Sequence, residues 1–217
     1  MTEPTPTAGV RHPARWAVLI LAGLSMVSGC SGGVGAGEPG SDATPAPSPS
    51  SAVMRLDKPA TVLGTWHESL DRRLTQVAQD NMGQLKVLLD GEPLSALGTA
   101  YIPVREKHSA ERGLYRPGDD RVVLLSGVSG TVGNPERTLD LVFTRLSAIS
   151  GVEPVPPGPL GGSARCGYAH SRGIRIDVCA WADRHTLGMV HLTHFAPTAR
   201  PEEIFRQIRA QTEHAAS

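Results

Sequence analysis

The stretch of sequence that decides the fold is Cys166-Gly167-Tyr168-Ala169-His170-Ser171-Arg172-Gly173-Ile174-Arg175-Ile176-Asp177-Val178-Cys179. A turn at Arg172-Gly173 pairs Ser171 with Ile174 as the first hydrogen-bonded pair of an antiparallel hairpin. Because the two pair types alternate along the ladder, Cys166 then faces Cys179 at a non-hydrogen-bonded pair, where Cα atoms approach to about 4.5 Å, within disulfide reach. The sequence therefore predicts a hairpin closed by a structural disulfide, which adds about 2–3 kcal/mol of stability.

The same register divides the hairpin into two faces. One face carries Ile174, Ile176, Val178 and Ala180. Their partners on the other arm are small except for Arg165, so we expect a helix to cover this face. The opposite face carries Arg175, Asp177, Cys179 and Trp181. A redox role for the cysteines is the alternative, but a catalytic dithiol usually has a two-residue spacing at a helix start, which this hairpin does not offer.

The first helix is predicted from Glu68, where apolar residues begin to recur at intervals of three and four. We favour a helix that ends near Met82, because Gly83 interrupts the pattern. Two readings stay open beyond it: the helix continues to Asp90, or residues 84–89 form a strand.

Two further helices are marked by their first residues. Asn134-Pro135-Glu136 combines an N-cap, a proline suited to the first helical position and an acidic first turn, and we expect this helix to end at Gly151. Pro201-Glu202-Glu203 starts the last helix, and we expect residues 213–217 beyond it to be frayed.

Short apolar or alternating runs predict the strands. They are 99–104, 121–126, the two arms of the hairpin, and 186–195, whose register stays open because both alternating sets are partly apolar. Residues 154–162 are typical of a Pro/Gly loop. The predicted fold class is α+β, with an antiparallel sheet of about five strands and two or three helices packed on one face.

The N-terminal residues 1–29 have the order of a secretory signal peptide. Arg11 and Arg15 precede an apolar run, Trp16 to Val27, that is shorter than a spanning helix needs. The next residues, Val27-Ser28-Gly29-Cys30, resemble the lipobox of bacterial lipoproteins. That resemblance implies that Cys30 is acylated and becomes the first residue of the mature chain. An uncleaved anchor over residues 16–34, and secretion with Cys30 as a bystander, are the alternatives.

The remaining chain divides into a tether and a domain. Residues 30–51 comprise the lipidated cysteine and a tether rich in Gly, Ser and Pro, a composition that stays extended and buries nothing. Residues 52–217 are long enough for a single globular domain. We therefore expect the protein at the cell membrane, lipid-anchored, on the extracytoplasmic face.

The net charge and the aromatic content of the chain limit the classes of partner that we expect. The chain has 21 basic and 21 acidic side chains, whereas a nucleic-acid-binding domain usually carries a clear basic excess. We therefore expect no nucleic-acid partner. Three Phe, three Tyr and three Trp are few for a carbohydrate-binding surface.

A second resemblance covers roughly residues 158–211. Cys166-Gly167-Tyr168-Ala169 and Cys179-Ala180-Trp181-Ala182-Asp183, followed by Thr186-Leu187-Gly188-Met189-Val190, resemble the C-terminal part of uncharacterised exported proteins of high-GC Gram-positive bacteria. The resemblance implies an exported or membrane-anchored protein and carries no catalytic residue over to this chain.

Few residues are candidates for binding a ligand or a metal. Trp181, Asp183 and His185 are the candidate ligand-binding residues, because a tryptophan and two polar groups meet at the predicted end of a strand. Four histidines fall in the C-terminal sheet, namely His170, His185, His191 and His194. We expect neither a metal nor another cofactor, since His191 and His194 are three apart on a predicted strand and so point to opposite faces. The alternative metal site joins His170 or His185 to an aspartate across strands.

The sequence favours a non-catalytic domain with a binding or assembly role in the cell envelope, held to the membrane by its lipid and facing an envelope protein partner. It contains neither the serine-hydrolase elbow nor the zinc-protease helix motif. The alternative is an envelope enzyme with a site built from scattered residues, for which Asp177, Asp183, His185 and Glu203 are the candidates.

Overall fold

The computed structural model describes residues 53–146 and 148–216, which form an α+β fold. The predicted signal peptide, Cys30 and the whole of the predicted tether lie outside the described residues. The helices are α1 (Arg72–Lys86), α2 (Pro135–Arg145) and α3 (Pro201–Thr212). The strands are β1 (Met54–Leu56), β2 (Thr61–Val62), β3 (Trp66–Glu68), β4 (Ser95–Ile102), β5 (Lys107–Ser109), β6 (Gly113–Tyr115), β7 (Val122–Ser129), β8 (Ser150–Pro154), β9 (Ser163–Ser171), β10 (Ile174–Ala182), β11 (Thr186–Thr193) and β12 (Glu213–Ala215).

One antiparallel sheet of eight strands dominates these residues, in the order β2-β3-β4-β7-β11-β10-β9-β8. Its central strand β7 is buried along its entire length, as the apolar run at 121–126 predicts. The prediction of about five strands is too low, because short strands such as β2 and β3 carry too few residues to show a periodic pattern. Two ribbons, β1-β12 and β5-β6, complete the fold.

The β9–β10 hairpin confirms the predicted register. Ile174 pairs with Ser171, and Cys179 pairs with Cys166. The two cysteines form a disulfide whose Cα atoms lie 4.1 Å apart. The turn residues Arg172 and Gly173 have φ values of 51° and 81°, and positive φ at both central positions is the signature of the tight turn that suits twisted hairpins.

Helices α1 and α2 cover the face of the sheet that carries Val178 and Ala180, where Leu85 and Val142 meet the same apolar cluster. Helix α1 passes through Gly83 to Lys86, so its predicted end near Met82 is wrong. Nothing lies within 4 Å of a Cβ built on Gly83, which is exposed and costs the helix only its intrinsic preference.

Helix α2 begins as predicted, with the Asn134 side chain accepting a hydrogen bond from the backbone N–H of Arg137. It ends at Arg145 rather than at Gly151. Residues Ser150–Pro154 instead form the edge strand β8. The sequence pattern predicts a helix up to Gly151 and a loop from residue 154, so the strand is not predicted. Arg165, the exception on the covered face of the hairpin, forms ion pairs with Glu136 and Asp140 of α2.

Helix α3 packs on the opposite face of the sheet, so α1 and α2 share one face, within the predicted two or three helices. Its buried Phe205 and Ile208 lie in one apolar cluster with Cys179 and Trp181. Successive residues of a strand point to opposite faces, so Trp181 cannot share a face with Ala180.

The C-terminal residues form a strand because they pair with the first strand of the domain. Strand β12 pairs with β1, and the backbone N–H of Ala216 donates to the carbonyl of Val53 over 2.6 Å. Glu213, predicted to be frayed, is buried at 4 % exposure. The tail is structured because its partner strand lies about 160 residues away, beyond the reach of local sequence patterns.

Candidate functional site

The three candidate ligand-binding residues lie at the β10–β11 turn. Trp181 is fully buried under α3, where its ring centroid is 5.8 Å from that of Phe205. His185 is half-buried and its backbone N–H donates to Asp183 Oδ1 over 2.6 Å. Asp183 also accepts from the backbone N–H and the hydroxyl of Thr186, at 2.8 and 2.6 Å. Two of the three residues therefore have internal partners that hold the turn.

Asp183 belongs to a buried charge network centred on Arg209, which is 1 % exposed. Arg209 donates from Nη2 to Asp183 Oδ2 and from Nε to Glu213 Oε2, each over 2.8 Å. Its Nη1 donates to the carbonyl of Gly161 over 2.8 Å. Burial raises the pKa of Glu213, and Arg209 opposes that rise. The network joins α3, the β10–β11 turn and the loop before β9, which is a structural role.

The residues of the enzyme alternative do not converge. Asp177 lies in β10 and Asp183 directly follows its end, six residues on, which at about 3.3 Å per residue separates them by roughly 20 Å. Asp177 is paired with Arg175, whose Nε lies 2.8 Å from its Oδ1. Glu203 pairs with Arg200 at 2.9 Å in the first turn of α3.

No metal-binding group of three or more His, Cys, Asp or Glu side chains occurs among residues 53–146 and 148–216. His170 lies at an exposed position near the hairpin turn, and His194 lies beyond the end of β11 with φ of 62°. His191 is the exception among the histidines, because it sits on the covered face of the sheet.

A cleft of about 270 Å³ opens on that face between α1 and α2. Its floor is formed by strands β9, β10 and β11, and its walls by the two helices and by the residues that follow α2. The lining residues are Asn81, Gln84, Arg145, Leu146, Ile149, Ala169, Ile176, Val178 and His191.

Two polar nitrogens of the cleft are buried and have no hydrogen-bond partner among the described residues. They are Nδ2 of Asn81 and Nε2 of His191. Asn81 lies on the sheet-facing side of α1 between Ala78 and Leu85, and only 9 % of it is exposed. His191 stands in β11 between Leu124 of β7 and Val178 of β10. Buried polar groups almost always have partners, so an unpartnered pair in one cleft indicates a place for a ligand or for ordered water.

Burial lowers the pKa of His191 to about 4, so its imidazole is neutral near pH 7. Arg145, in the last turn of α2, is exposed at the rim of the cleft. Its Nη1 lies 3.4 Å from the carbonyl oxygen of Gln84, a long hydrogen bond that links the two helices. The cleft thus combines an apolar floor, one permanent cation and three neutral polar side chains, those of Asn81, Gln84 and His191.

A larger hollow at the start of α1 has two of its polar lining groups, Glu68 and Ser69, already paired. The hollow at the start of α1 measures about 450 Å³ and is lined by Glu68 and Ser69. There the Ser69 hydroxyl donates to Glu106 over 2.6 Å, and Glu68 accepts from Thr99 over 2.8 Å. We therefore take the inter-helix cleft as the candidate site.

Sequence reasoning missed the cleft, although one signal was available. Asn81 interrupts the apolar stripe of α1, three residues after Ala78 and four before Leu85, and a polar residue in such a stripe needs a partner. His191 could not be assigned to a face, because both alternating sets of β11 are partly apolar. Arg145 was expected inside a longer helix.

Comparison with protein-family models, curated proteins and solved structures found no match for this chain. Within the part of the chain that the structure describes, no helix is long and apolar enough to cross a membrane.

Proposed function

We propose that this protein is a lipid-anchored domain on the extracytoplasmic face of the cell membrane, which binds a component of the cell envelope through the inter-helix cleft and has no catalytic activity. The unpartnered nitrogens of Asn81 and His191 carry the assignment of the cleft. A site whose polar groups have no internal partner is suited to an external one.

The anchor and the compartment rest on the sequence. Val27-Ser28-Gly29-Cys30 supports lipidation at Cys30, and the tether that follows supports a domain held away from the membrane surface. The disulfide between Cys166 and Cys179 is consistent with an oxidising compartment. These observations agree with export, which any partner in the envelope requires.

A non-catalytic role is supported by the way the candidate acidic groups are used. Asp177 and Asp183 each form an ion pair with an arginine, and the second half of β10 separates them. The enzyme alternative would need these groups to act far apart, or a catalytic role for residues that the sequence does not single out.

The anchor is tested by the intact mass of the protein purified from the membrane fraction, before and after reduction. We expect a chain that starts at Cys30 with acyl groups, and a gain of one hydrogen pair on reduction. The Cys30→Ala variant should keep its signal peptide unprocessed at this site and carry no acyl mass. An unmodified wild-type chain that retains residues 1–29 would contradict the lipid anchor.

Binding through the cleft is tested by photo-crosslinking in intact cells. A photoreactive benzoylphenylalanine replaces Gln84 at the cleft, and the matched control replaces Gln207, an exposed glutamine of α3 on the opposite face. We expect a discrete crosslinked product from position 84 and none of the same mass from position 207. Identical products from both positions would show that the cleft is not the binding surface.

The enzyme alternative is tested with the His185→Ala and Glu203→Gln double variant. Neither side chain belongs to the Arg209 network, so the variant should fold and should fully replace the wild-type protein in a deletion strain. A folded variant that fails to complement would favour the enzyme.

A further inference from the structure

We infer that the cleft between α1 and α2 accepts a small apolar molecule that carries a single carboxylate, with the carboxylate held by Arg145 and Asn81. This inference rests on the proposed binding role of the cleft and names the chemistry of its ligand.

The charge of the cleft selects an anion. Of the nine described residues that line it, Arg145 is the only one with a permanent charge. Arg145 forms no ion pair within residues 53–146 and 148–216, and its one hydrogen bond to Gln84 is long. By contrast, the charge of Arg165 in β9 is neutralised by its ion pairs with Glu136 and Asp140. The planar guanidinium of Arg145 therefore retains the donors with which arginine binds carboxylates.

The two buried nitrogens favour a ligand with one negative charge over a ligand with two. The Asn81 amide offers an unpartnered N–H deep in the cleft, which suits a carboxylate oxygen. His191 is neutral near pH 7 because burial lowers its pKa to about 4, so it adds a polar contact without a second positive charge. One cation among neutral polar groups matches a monoanion better than a phosphate ester or a dicarboxylate.

The floor and the volume select the rest of the molecule. Ile176, Val178 and Leu146 give an apolar surface on which a hydrocarbon body can lie. The volume of about 270 Å³ equals that of roughly nine water molecules at about 30 Å³ each. A short aliphatic acid or the C-terminal residue of a peptide has this size and this chemistry.

The inference is tested by NMR titration of the purified protein with three probes of matched length: hexanoate, hexanamide and hexylamine. We expect hexanoate to shift the side-chain amide signals of Asn81 and the ring signals of His191 in a saturable way, with a Kd on the order of 1 mM for so small a ligand. Hexanamide should bind roughly tenfold more weakly, and hexylammonium should not bind. N-acetyl-leucinate distinguishes the two sources, since tighter binding than that of hexanoate identifies a peptide C-terminus and weaker binding a free acid.

The charge assignment is tested with Arg145→Gln and the matched control Arg137→Gln, an exposed arginine of the same helix that does not line the cleft. Arg145→Gln should weaken hexanoate binding roughly tenfold, and Arg137→Gln should leave it unchanged. Equal binding of the three probes, or equal effects of the two variants, would overturn the inference.

The amide spectrum of each variant reports directly whether it is folded. If photo-crosslinking at position 84 succeeds while no carboxylate binds, the ligand class is wrong and the binding surface stands. If hexanoate binds as expected while position 84 yields no crosslink, the ligand class stands and the proposed envelope partner is wrong.

Discussion

Replacing Arg209 with methionine is the sharpest test of how this domain is held together. The variant keeps the apolar stem of the side chain, is shorter by the guanidinium head, and removes the hydrogen bonds to Asp183, Glu213 and the carbonyl of Gly161. Asp183 retains the two backbone N–H groups and the hydroxyl that it accepts at the β10–β11 turn. Glu213 loses its cation while it remains 4 % exposed. The cost therefore falls mainly on Glu213, with a smaller part from the carbonyl of Gly161, which loses the hydrogen bond from Nη1.

We expect Arg209→Met to lower the free energy of unfolding by about 3–5 kcal/mol, the usual cost of leaving one member of a buried ion pair alone. Chemical denaturation in urea at pH 7, followed by tryptophan fluorescence and far-UV circular dichroism, measures the loss. The control is Arg206→Met in the same helix, where the guanidinium makes only a 3.4 Å hydrogen bond to the carbonyl of Pro156, and the expected loss is about 1 kcal/mol or less.

Two further results check the mechanism. The double variant Arg209→Met, Glu213→Leu should lose at least about 2 kcal/mol less than the sum of the two single losses, because neither member of the Arg209–Glu213 pair is then left buried alone. Burial already raises the pKa of Glu213, and removing Arg209 raises it further, so the Arg209→Met variant should regain stability as the pH falls and Glu213 is protonated. Additive losses, or a loss below about 1 kcal/mol at pH 7, would refute the reasoning.

Three other perturbations follow from the described contacts. Replacing Cys166 and Cys179 together with serine should cost about 2–3 kcal/mol in urea denaturation, as should reduction of the wild-type disulfide, and an unchanged midpoint would show that the bridge adds no stability. The folded-state pKa of His191 is depressed to about 4, so the unfolded chain binds its proton first as the pH falls. The free energy of unfolding of the wild type should therefore decrease between about pH 6.5 and 4, by up to on the order of 3 kcal/mol, whereas that of His191→Gln should not. Parallel pH profiles of the two proteins would contradict the buried neutral ring. A Cβ on Gly98 would meet the backbone of Gln79 at 2.8 Å, so Gly98→Ala should lower the free energy of unfolding by about 1–3 kcal/mol in thermal denaturation. Gly83→Ala, with open space around it, should raise that free energy by about 0.5–1 kcal/mol. The opposite order of stabilities would contradict the position of α1 against β4.

The parts of the fold that the sequence predicts well are those set by neighbours in the chain. The register of β9 and β10 follows from a two-residue turn and the cysteines on either side of it, all within a short segment. The start of α2 follows from Asn134 and Pro135, whose effects are confined to the first turn. Local steric and hydrogen-bonding preferences are enough to determine these features.

The parts that the sequence does not predict depend on distant partners. Glu213 is polar and lies near the end of the chain, which is typical of a frayed tail, and only its pairing with β1 and its contact with Arg209 bury it. Likewise, Trp181 and Ala180 are adjacent in sequence, and no local pattern states that α3 covers one and α2 the other. The cleft arises where two helices leave part of the sheet between them, so it depends on the packing of both.

The pairing of β1 with β12 has a mechanical consequence. Because Val53 and Ala216 are hydrogen-bonded neighbours, a force applied to the chain at residue 53 acts first on the end of this two-stranded ribbon. The ribbon opens from Met54 and Ala215 toward Leu56 and Glu213, one pair at a time, which requires little force. Once Leu56 and Glu213 part, the load passes to the hydrogen bonds that the backbone N–H groups of Leu56 and Asp57 donate to Ser95 and Thr212, each over 2.9 Å. A domain suspended by its N-terminal end would therefore yield at a short ribbon under tension while the sheet that carries the cleft keeps its shape.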